Sequence, residues 1–360
     1  MKHRKHLACI LAALLAGSFG AGFVLPRITL AAVTSIPIYA CGHITQGGYY
    51  VVQNALSTTS GDCLVISASD VTLNLNGNNI TSTSNPKSGA GIHVMRKNQR
   101  GNSVTGVFIE GGFFPGHVNP VIRGFAAGVE NEADGTVGED LEVFGNIDGL
   151  LIKGARGSNF SDFDAGGSGA DANVNGVHIL GGEENTIGAF SSAENNTNSG
   201  MWIEQSDDNT VSTNGRFSNN GKYGIWVHSS SGNYVSATST NSNGIAGVWV
   251  DRSTGNRLTG FSADSNGTAG VYIGCNPAFS GTGSSCSPKE SSNSNLVFDI
   301  GARNNKYGIV IDLGNEHNQV TDNTATGNTL TDALDENSNC DQNNWFAGNY
   351  GTKSPATCIN

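Results

Sequence analysis

The sequence predicts an all-β protein, a single-stranded, right-handed parallel β-helix with a cap at each end. The main observation is a repeated phrase: a small residue, an apolar residue, any residue and a second apolar residue. A fixed period in the low twenties indicates a solenoid, whose coils bury their apolar faces only by stacking on one another. The opening glycines step by 27, 24, 24, 23, 23 and 38 residues. They are Gly149, Gly176, Gly200, Gly224, Gly247, Gly270 and Gly308.

Two further segments complete each predicted coil. An Asn-x-apolar phrase follows most copies of the first phrase, and a third segment that ends in Asn or Gly closes the turn. Asn and Gly suit corners because they tolerate left-handed backbone conformations, and three short strands per turn would each pair with their copy about 4.8 Å away. Equivalent Asn side chains can also hydrogen-bond along the axis. The Asn-x-apolar phrases begin at Asn185, Asn209, Asn233, Asn256 and Asn318.

The N-terminus predicts an export signal. Lys2, Arg4 and Lys5 precede an apolar stretch over residues 7–25, and small residues follow near Ala31. A retained membrane anchor is the alternative, which the glycines inside the apolar stretch disfavour. We therefore expect a secreted, periplasmic or cell-surface protein.

The predicted boundaries divide the chain into four parts. An export signal is expected at 1–34, an N-terminal cap with the first coil at 35–88, the β-helix repeats at 89–328 and a C-terminal cap at 329–360. Removal of the first part takes away four basic residues and no acidic ones, so the net charge moves from −11 to −15. Such a chain should avoid nucleic acid and anionic membranes. We expect a monomer that binds a polysaccharide or oligosaccharide.

Six cysteines remain after the export segment, and they fall into pairs that are local in sequence. Proximity predicts disulfides, although six cysteines allow 15 connectivities. A zinc site is the alternative, but none of the pairs has CxxC spacing or a histidine partner. No metal site is predicted, and no cofactor is expected, apart from Ca²⁺ as an option. The predicted pairs are Cys41 with Cys63, Cys275 with Cys286, and Cys340 with Cys358.

The first coils carry a family resemblance. Residues 41–52 read Cys-Gly-His-Ile-Thr-Gln-Gly-Gly-Tyr-Tyr-Val-Val, and Val71, Leu73 and Leu75 alternate with polar residues before Gly77. This sequence pattern resembles that of the secreted right-handed β-helix proteins with pectate-lyase-like repeats, including NosD-type and alginate-epimerase-like proteins. The resemblance covers most of 41–328 and implies the fold, but lyases, epimerases, hydrolases and proteins without known chemistry share it. The Asp-Pro-His-Asp motif of the mannuronan epimerases is absent from the sequence.

The variable position x of the first phrase should face solvent, because its apolar neighbours face inward. Stacked coils would then align aromatic side chains in a stripe of roughly 15 Å, suited to several sugar rings. The alternative is that aromatic residues favour exposed strand positions and stack on one another without a ligand. The predicted substrate-binding residues of this row are His178, Trp202, Trp226, Trp249 and Tyr272, with Arg252 nearby.

A second outward row lies two residues further along each phrase. It places Glu204, His228 and Asp251 on successive coils, with the histidine between two carboxylates. We predict that these three residues are catalytic, because a histidine in that setting can serve as an acid or a base. The two carboxylates would lie about 9–10 Å apart, near the separation in an inverting glycosidase. The alternatives are that the three residues only solvate the surface, or that His178, His228 and Asp251 bind a metal.

These patterns lead to one functional hypothesis and one rival. The hypothesis is a secreted polysaccharide-binding or polysaccharide-processing β-helix protein, with a glycan along an exposed Trp/Tyr ladder and acid/base cleavage or epimerisation beside it. The rival is a non-enzymatic, adhesin-like structural protein of the cell surface. If the second row is inactive, we expect the active site near His93, Glu130 and the segment around His117.

Overall fold

Each copy of the repeated phrase forms a strand of one parallel sheet, and its glycine lies against the next coil. A Cβ atom added at Gly224 would lie 2.6 Å from the carbonyl oxygen of Gly247, and one added at Gly247 would lie 2.7 Å from that of Gly270. Real Cβ atoms do not approach backbone so closely. The stacking of the coils therefore requires glycine at this position.

The structure, a computed structural model, describes residues 34–112, 119–167, 169–212, 214–236, 239–275 and 290–360. The predicted export segment lies outside these ranges except for Thr34, and so do His117 and Cys286. Residues Ser35–Asn360 form one compact unit. Within the described ranges, none of the helices has the length and apolar character needed to span a membrane.

Short strands make up nearly all of the regular structure. Two 3₁₀ turns lie at Gly169–Asp171 and Ser338–Cys340. The strands of the first half are β1 Ile36–Ile38, β2 Gly42–Ile44, β3 Gly48–Val52, β4 Leu56–Thr58, β5 Leu64–Ile66, β6 Val71–Asn74, β7 Ile80–Ser82, β8 Ala90–Val94, β9 Phe108–Glu110, β10 Val121–Arg123, β11 Ala127–Asn131, β12 Val137–Glu139, β13 Glu142–Phe144, β14 Asp148–Lys153, β15 Asn159–Ser161 and β16 Asn175–Leu180. Those of the second half are β17 Thr186–Ile187, β18 Ser199–Glu204, β19 Thr210–Ser212, β20 Tyr223–His228, β21 Tyr234–Ser236, β22 Ala246–Asp251, β23 Arg257–Thr259, β24 Ala269–Ile273, β25 Leu296–Phe298, β26 Gly301–Arg303, β27 Tyr307–Ile311, β28 Gln319–Thr321, β29 Thr324–Thr326, β30 Thr331–Asp335, β31 Asn344–Phe346, β32 Asn349–Tyr350 and β33 Lys353–Ser354.

The strands stack into two long parallel sheets and a more irregular third face. Sheet A follows the order β1-β3-β6-β9-β12-β15-β17-β19-β21-β23-β25-β28-β31, and sheet B the order β2-β5-β8-β11-β14-β16-β18-β20-β22-β24-β27-β30-β33. The third face contains β4-β7-β10-β13 and β26-β29-β32. The result is a right-handed parallel solenoid of about 12 turns, which confirms the predicted fold class. The boundaries of the two caps stay predictions.

The core is a column of aliphatic side chains inside the coils. The two apolar positions of each phrase face this column, as the sequence predicts, and Ile225 and Val227 are fully buried. Parallel pairing aligns Ile225 with Met201 on one side and with Val248 on the other. Each coil therefore buries its apolar residues against the coils before and after it, which supplies the main stabilisation of a solenoid.

Asparagine side chains form two internal ladders at the corners. In each ladder the Nδ2 group of one Asn donates to the Oδ1 atom of the equivalent Asn in the next coil, at 3.0–3.2 Å. Backbone N–H groups donate to the same oxygens. The first amide ladder contains Asn185, Asn209, Asn233, Asn256, Asn295, Asn318 and Asn343, and the second contains Asn173, Asn196, Asn220, Asn243, Asn266, Asn305 and Asn328.

Both amide ladders end on a buried carboxylate. Asn343 donates to Asp335 at 3.1 Å, and Trp345 donates to the same oxygen at 2.8 Å. Asn328 donates to Asp332 at 2.7 Å, and Thr352 donates to its other oxygen. Burial raises the pKa of Asp335 despite its hydrogen bonds. Burial also opposes ionisation of Asp332, but the bonds from Asn328 and Thr352 outweigh it and hold its pKa below the ordinary value.

Disulfides join the cysteines near both ends of the described unit. Cys41 bonds to Cys63 and Cys340 bonds to Cys358, as the sequence predicts. Cys275 is also disulfide-bonded, whereas its predicted partner Cys286 lies outside the described residues. The bonded cysteines cannot hold zinc as thiolates, so the alternative of a zinc site at these two pairs is wrong.

We expect Asn233→Ala to lower the free energy of unfolding by about 2–4 kcal/mol, because it leaves several buried groups of adjacent coils without partners. Asn233 accepts from the backbone and side chain of Asn209 and donates to the carbonyl of Ser206. Urea denaturation measures the change. The exposed Asn102 makes no side-chain hydrogen bond among the described residues, so Asn102→Ala is the control. Equal losses in the two variants would contradict a special role for the ladder.

We expect Asp332→Asn to destabilise the protein at neutral pH by about 1–3 kcal/mol, because an amide cannot accept all the bonds of the carboxylate. The pKa of Asp332 is lowered in the folded state. Its ionised form therefore contributes stability above the ordinary pKa of 3.8, and this is lost as the pH falls through the lower folded value. Denaturation curves from neutral pH to about pH 2.5 should show the two proteins converging in stability. A difference in stability that stays constant over this pH range would contradict the role assigned to the ionised Asp332.

Candidate functional site

The outer face of sheet B carries the aromatic row that the sequence predicts. Pairing aligns His178 with Trp202, Trp202 with Trp226, Trp226 with Trp249 and Trp249 with Tyr272. The first four rings form a stack, with centroids 4.3, 4.7 and 5.1 Å apart and neighbouring planes within 6° of parallel. The ring of Tyr272 is tilted by 42° from that of Trp249. The spacing follows from the separation of paired strands.

The predicted exposure is wrong for three of the five residues of this row. His178 is only 7% exposed and Trp249 and Tyr272 only 4%, while Trp202 and Trp226 are half-buried. Apolar residues beside the row join the rings in a second apolar cluster outside the coil core, and the stacked faces cover one another. Sugar rings therefore cannot lie flat along the stack, and only ring edges reach solvent. The buried members of this cluster are Tyr223, Ala246, Trp249, Ala269, Tyr272 and Val310.

The polar ends of the buried rings are partly satisfied within the protein. Trp249 donates its indole N–H to the carbonyl of Gly274 at 2.8 Å, and the Tyr272 hydroxyl donates to Asp312 at 2.7 Å. Among the described residues, the indole nitrogens of Trp202 and Trp226 are buried and have no hydrogen-bond partner. A buried donor without an acceptor is costly, so the stack leaves two unpaired N–H groups beneath the surface of this face.

The second outward row brings together His228 and Asp251. The strands align Glu204, His228 and Asp251 on successive coils, as predicted. The Nδ1 atom of His228 lies 2.7 Å from a carboxylate oxygen of Asp251. His228 is 18% exposed at its side chain and Asp251 only 5%. Because an ionised carboxylate only accepts, Nδ1 carries the hydrogen, and Nε2 of the neutral ring holds the lone pair.

Glu204 bonds to a different histidine from the one that the sequence suggested. Its carboxylate lies 3.2 Å from Nε2 of His178, whose Nδ1 lies 3.4 Å from Asp148. The imidazole flanked by two bonded carboxylates is therefore that of His178, and the expectation that Glu204 and Asp251 flank His228 as a bonded pair is wrong. Glu204 keeps 20% of its side chain exposed, one strand from His228.

The alternative of a metal group at His178, His228 and Asp251 is wrong. His178 bonds Asp148 and Glu204, whereas His228 bonds Asp251. The two histidines occupy different rows two strands apart, so their nitrogens do not converge. Within the described ranges, the group whose ligand atoms do converge contains His93, Glu130 and Glu132.

Arg252 follows Asp251 and adds positive charge at the edge of the site. Its Nη2 atom lies 3.2 Å from Glu290, and its Nε atom lies 3.8 Å from Asp251. The side chain is 43% exposed. A half-exposed guanidinium in this position can exchange one of its carboxylate contacts for an anionic ligand.

Sequence reasoning missed Asp148 and Tyr223, which belong to a third outward row. Each precedes the glycine of its phrase, and the structure places Asp148 against His178 and Tyr223 against Trp226 and Trp249. Burial, with a contribution from the charge of Asp251, raises the pKa of Tyr223 to about 12. The position before each glycine could have identified these residues. Strict alternation along a strand, however, predicts that a side chain at this position points into the core.

Comparisons with known proteins agree with the described architecture. Residues 148–324 match the family described as the right handed beta helix region. The described part of the chain folds as a right-handed parallel β-helix. A search of curated protein sequences finds no match to this chain.

Solved structures of other proteins have folds similar to that of this chain. The A-module of the mannuronan C-5 epimerase AlgE6 of Azotobacter vinelandii is 14% identical, covers 89% of each chain and has a TM-score of 0.55. The A-module of AlgE4 from the same organism is 14% identical, covers 89% of this chain and 90% of its own, and has a TM-score of 0.53. The Dettilon tailspike protein is 11% identical, covers 84% of this chain and 60% of its own, and has a TM-score of 0.58. At these identities the likeness concerns the fold.

We expect Trp226→Ala to lower the free energy of unfolding by about 1–3 kcal/mol, because the ring is stacked on both faces. Its partners are Trp202 and Trp249. Chemical denaturation measures this loss, and Trp226→Phe, which keeps an aromatic ring, should recover part of it. A Trp226→Ala protein of unchanged stability would show that the stack contributes no packing energy.

Proposed function

We propose that this is an exported polysaccharide-processing protein whose glycan lies across the outer face of sheet B beside His228. The observation that carries the proposal is the bonded pair of His228 and Asp251, at 2.7 Å, on a partly exposed surface. Disulfides fit the oxidising environment of an exported protein. The acidic composition disfavours nucleic acid as the alternative polymer.

In this proposal His228 is the general base. Asp251 fixes the ring and keeps the hydrogen on Nδ1, so that Nε2 presents its lone pair. Nε2 has no hydrogen-bond partner among the described residues, and its ring lies 5.2 Å from that of Trp226. A sugar at the indole edges of Trp202 and Trp226 would lie beside this nitrogen. The base would remove a proton from the sugar or from an attacking water.

Glu204 is the proposed partner in proton transfer. It is on the strand adjacent to His228, so the two groups flank a space about one strand separation wide. Asp251 is nearly buried and bonded to His228, which makes it a positioning residue rather than a direct acid. This arrangement replaces the widely spaced carboxylate pair expected from the sequence with a histidine and a glutamate on neighbouring strands.

Ligand binding in this proposal relies on edges rather than ring faces. The exposed ring edges of Trp202 and Trp226 would contact the sugar, and the carboxylate of Glu204 would accept from its hydroxyl groups. Arg252 would bind an acidic substituent such as a uronate carboxylate. Two solved proteins of similar fold are named mannuronan C-5 epimerases, and mannuronan is a polymer of uronate sugars, which supports this class of ligand.

A non-enzymatic structural protein is the second candidate, and one observation favours it. The stacked rings cover one another and bury Trp249 and Tyr272, so the aromatic row stabilises the coils without any ligand. In that case the histidines and carboxylates of the face would serve only to bind one another and water. The two candidates differ in whether His228 affects turnover.

We expect His228→Ala to lower turnover of a polysaccharide substrate by about 10²–10⁴-fold while the variant still binds the glycan, because only the base is lost. Asp251→Asn should lose rate on a similar scale, since it favours the wrong tautomer. A panel of neutral and uronic polysaccharides, assayed for reducing ends, unsaturated product and altered sugar configuration, would identify the reaction.

The matched control is His317→Asn, which changes a histidine remote in sequence and leaves the candidate site intact. Its backbone has a φ of 59°, which Asn tolerates. Wild-type protein that turns over none of the polysaccharides, or a His228→Ala variant with full turnover, would refute the catalytic role. Glycan binding without turnover would support the structural or adhesin-like alternative.

A further inference from the structure

A second polar cluster lies on the outer face of sheet B, on earlier coils than the candidate site. His93 and Glu130 are paired on adjacent strands β8 and β11, and Glu132 follows β11 directly. The ligand atoms of these three residues all lie within 4.8 Å of one another. Two carboxylates and an imidazole therefore converge on one small volume at the surface of the coil.

The histidine of this cluster is already oriented for a ligand. Its Nδ1 atom lies 2.9 Å from the carboxylate of Asp62, which only accepts and therefore fixes the hydrogen on Nδ1. The Nε2 atom is buried, has no hydrogen-bond partner among the described residues, and lies 3.8 Å from Glu132. Carboxylate–histidine pairs of this kind are the usual support of a metal-binding imidazole.

A cation already lies against the two glutamates. The ammonium group of Lys153 is 3.1 Å from Glu130 and 2.9 Å from Glu132. The side chain of Lys153 is 48% exposed and can swing into solvent. Its position shows that the carboxylates attract positive charge, and it makes Lys153 a competitor of any metal ion.

We propose that His93, Glu130 and Glu132 form a binding site for a divalent transition-metal ion of the Zn²⁺ type. The imidazole nitrogen suits such an ion, whereas Ca²⁺ and Mg²⁺ favour sites made of oxygen alone. Ligands of tetrahedral zinc lie about 3.3 Å apart, which small rotations of two glutamate side chains reach from 4.8 Å. Three protein ligands leave one position open to solvent.

The open position gives the site a role that does not depend on the proposed catalysis. Glu130 and His178 lie in the same outward row, two strands apart, so the ion would be about 10 Å from the aromatic stack. A bound divalent ion adds positive charge to a strongly acidic protein. Its free coordination position would accept an anionic oxygen, such as a carboxylate of a ligand that lies along this face.

Calorimetric titration of the full chain with ZnCl₂ tests the proposal. We expect one ion per chain, an affinity reduced at least tenfold by His93→Ala or by the near-isosteric Glu132→Gln, and a 10–100-fold reduction by Asp62→Asn. Lys153→Met should raise the affinity, because it removes the competing ammonium group. His317→Asn should leave the affinity unchanged, and circular dichroism would confirm that each variant is folded.

Three results would overturn the site. They are an absence of binding to the wild type, binding that survives both His93→Ala and Glu132→Gln in folded protein, and Ca²⁺ binding through these residues with higher affinity than Zn²⁺. Because the readout is binding of the metal alone, an inactive or non-enzymatic protein would not affect the test. The proposed function and the metal site can therefore fail independently.

Discussion

The structure depends on exact repetition of one strand separation, which places equivalent residues of successive coils directly above one another. Inside the coils this register is enforced by buried amides, because an Asn side chain that slipped by one residue would lose its donor and acceptor together. The aliphatic core alone would not impose it, since Val, Ile and Met pack in many arrangements. The amide ladders supply direction and register, and the core supplies most of the energy.

The same register organises the outer face of sheet B and limits what it can do. Rings repeated at one strand separation stack face to face. The rings therefore cover one another's faces and leave mainly their edges for a ligand, as in the stack of His178, Trp202, Trp226 and Trp249. Polar residues in the neighbouring row form pairs instead of stacks. The pair of His228 and Asp251 results from two different residues that occupy equivalent positions of adjacent coils.

The fold and the two outward rows of sheet B could be predicted from the sequence, because both follow from the period of the repeat alone. The glycine spacing placed Trp226 beside Trp202 and His228 beside Asp251, and the structure has both pairs in register. Exposure could not be predicted, since the burial of Trp249 depends on neighbours such as Tyr223 from another row. The hydrogen-bond partner of Glu204 could not be predicted either. Strand register places Glu204 near both rows, and its carboxylate bonds diagonally to His178 instead of to His228. The convergence of His93 with Glu132 could not be predicted either, because Glu132 follows the end of its strand and lies outside the repeated sequence pattern.

The amide ladders give the solenoid a polarity. All the Asn-to-Asn bonds of the two ladders run from donor to acceptor toward the C-terminal end, and each ladder closes where Asp335 or Asp332 accepts the last of them. The bond from Asn256 to Asn295 is 3.1 Å although 39 residues separate them, instead of the 23 between Asn233 and Asn256. A coil can therefore carry an insertion without altering the ladder. The protein can lengthen by duplication of internal coils. The carboxylates of Asp332 and Asp335, in contrast, accept the last bond of each ladder, and neither ladder continues past them.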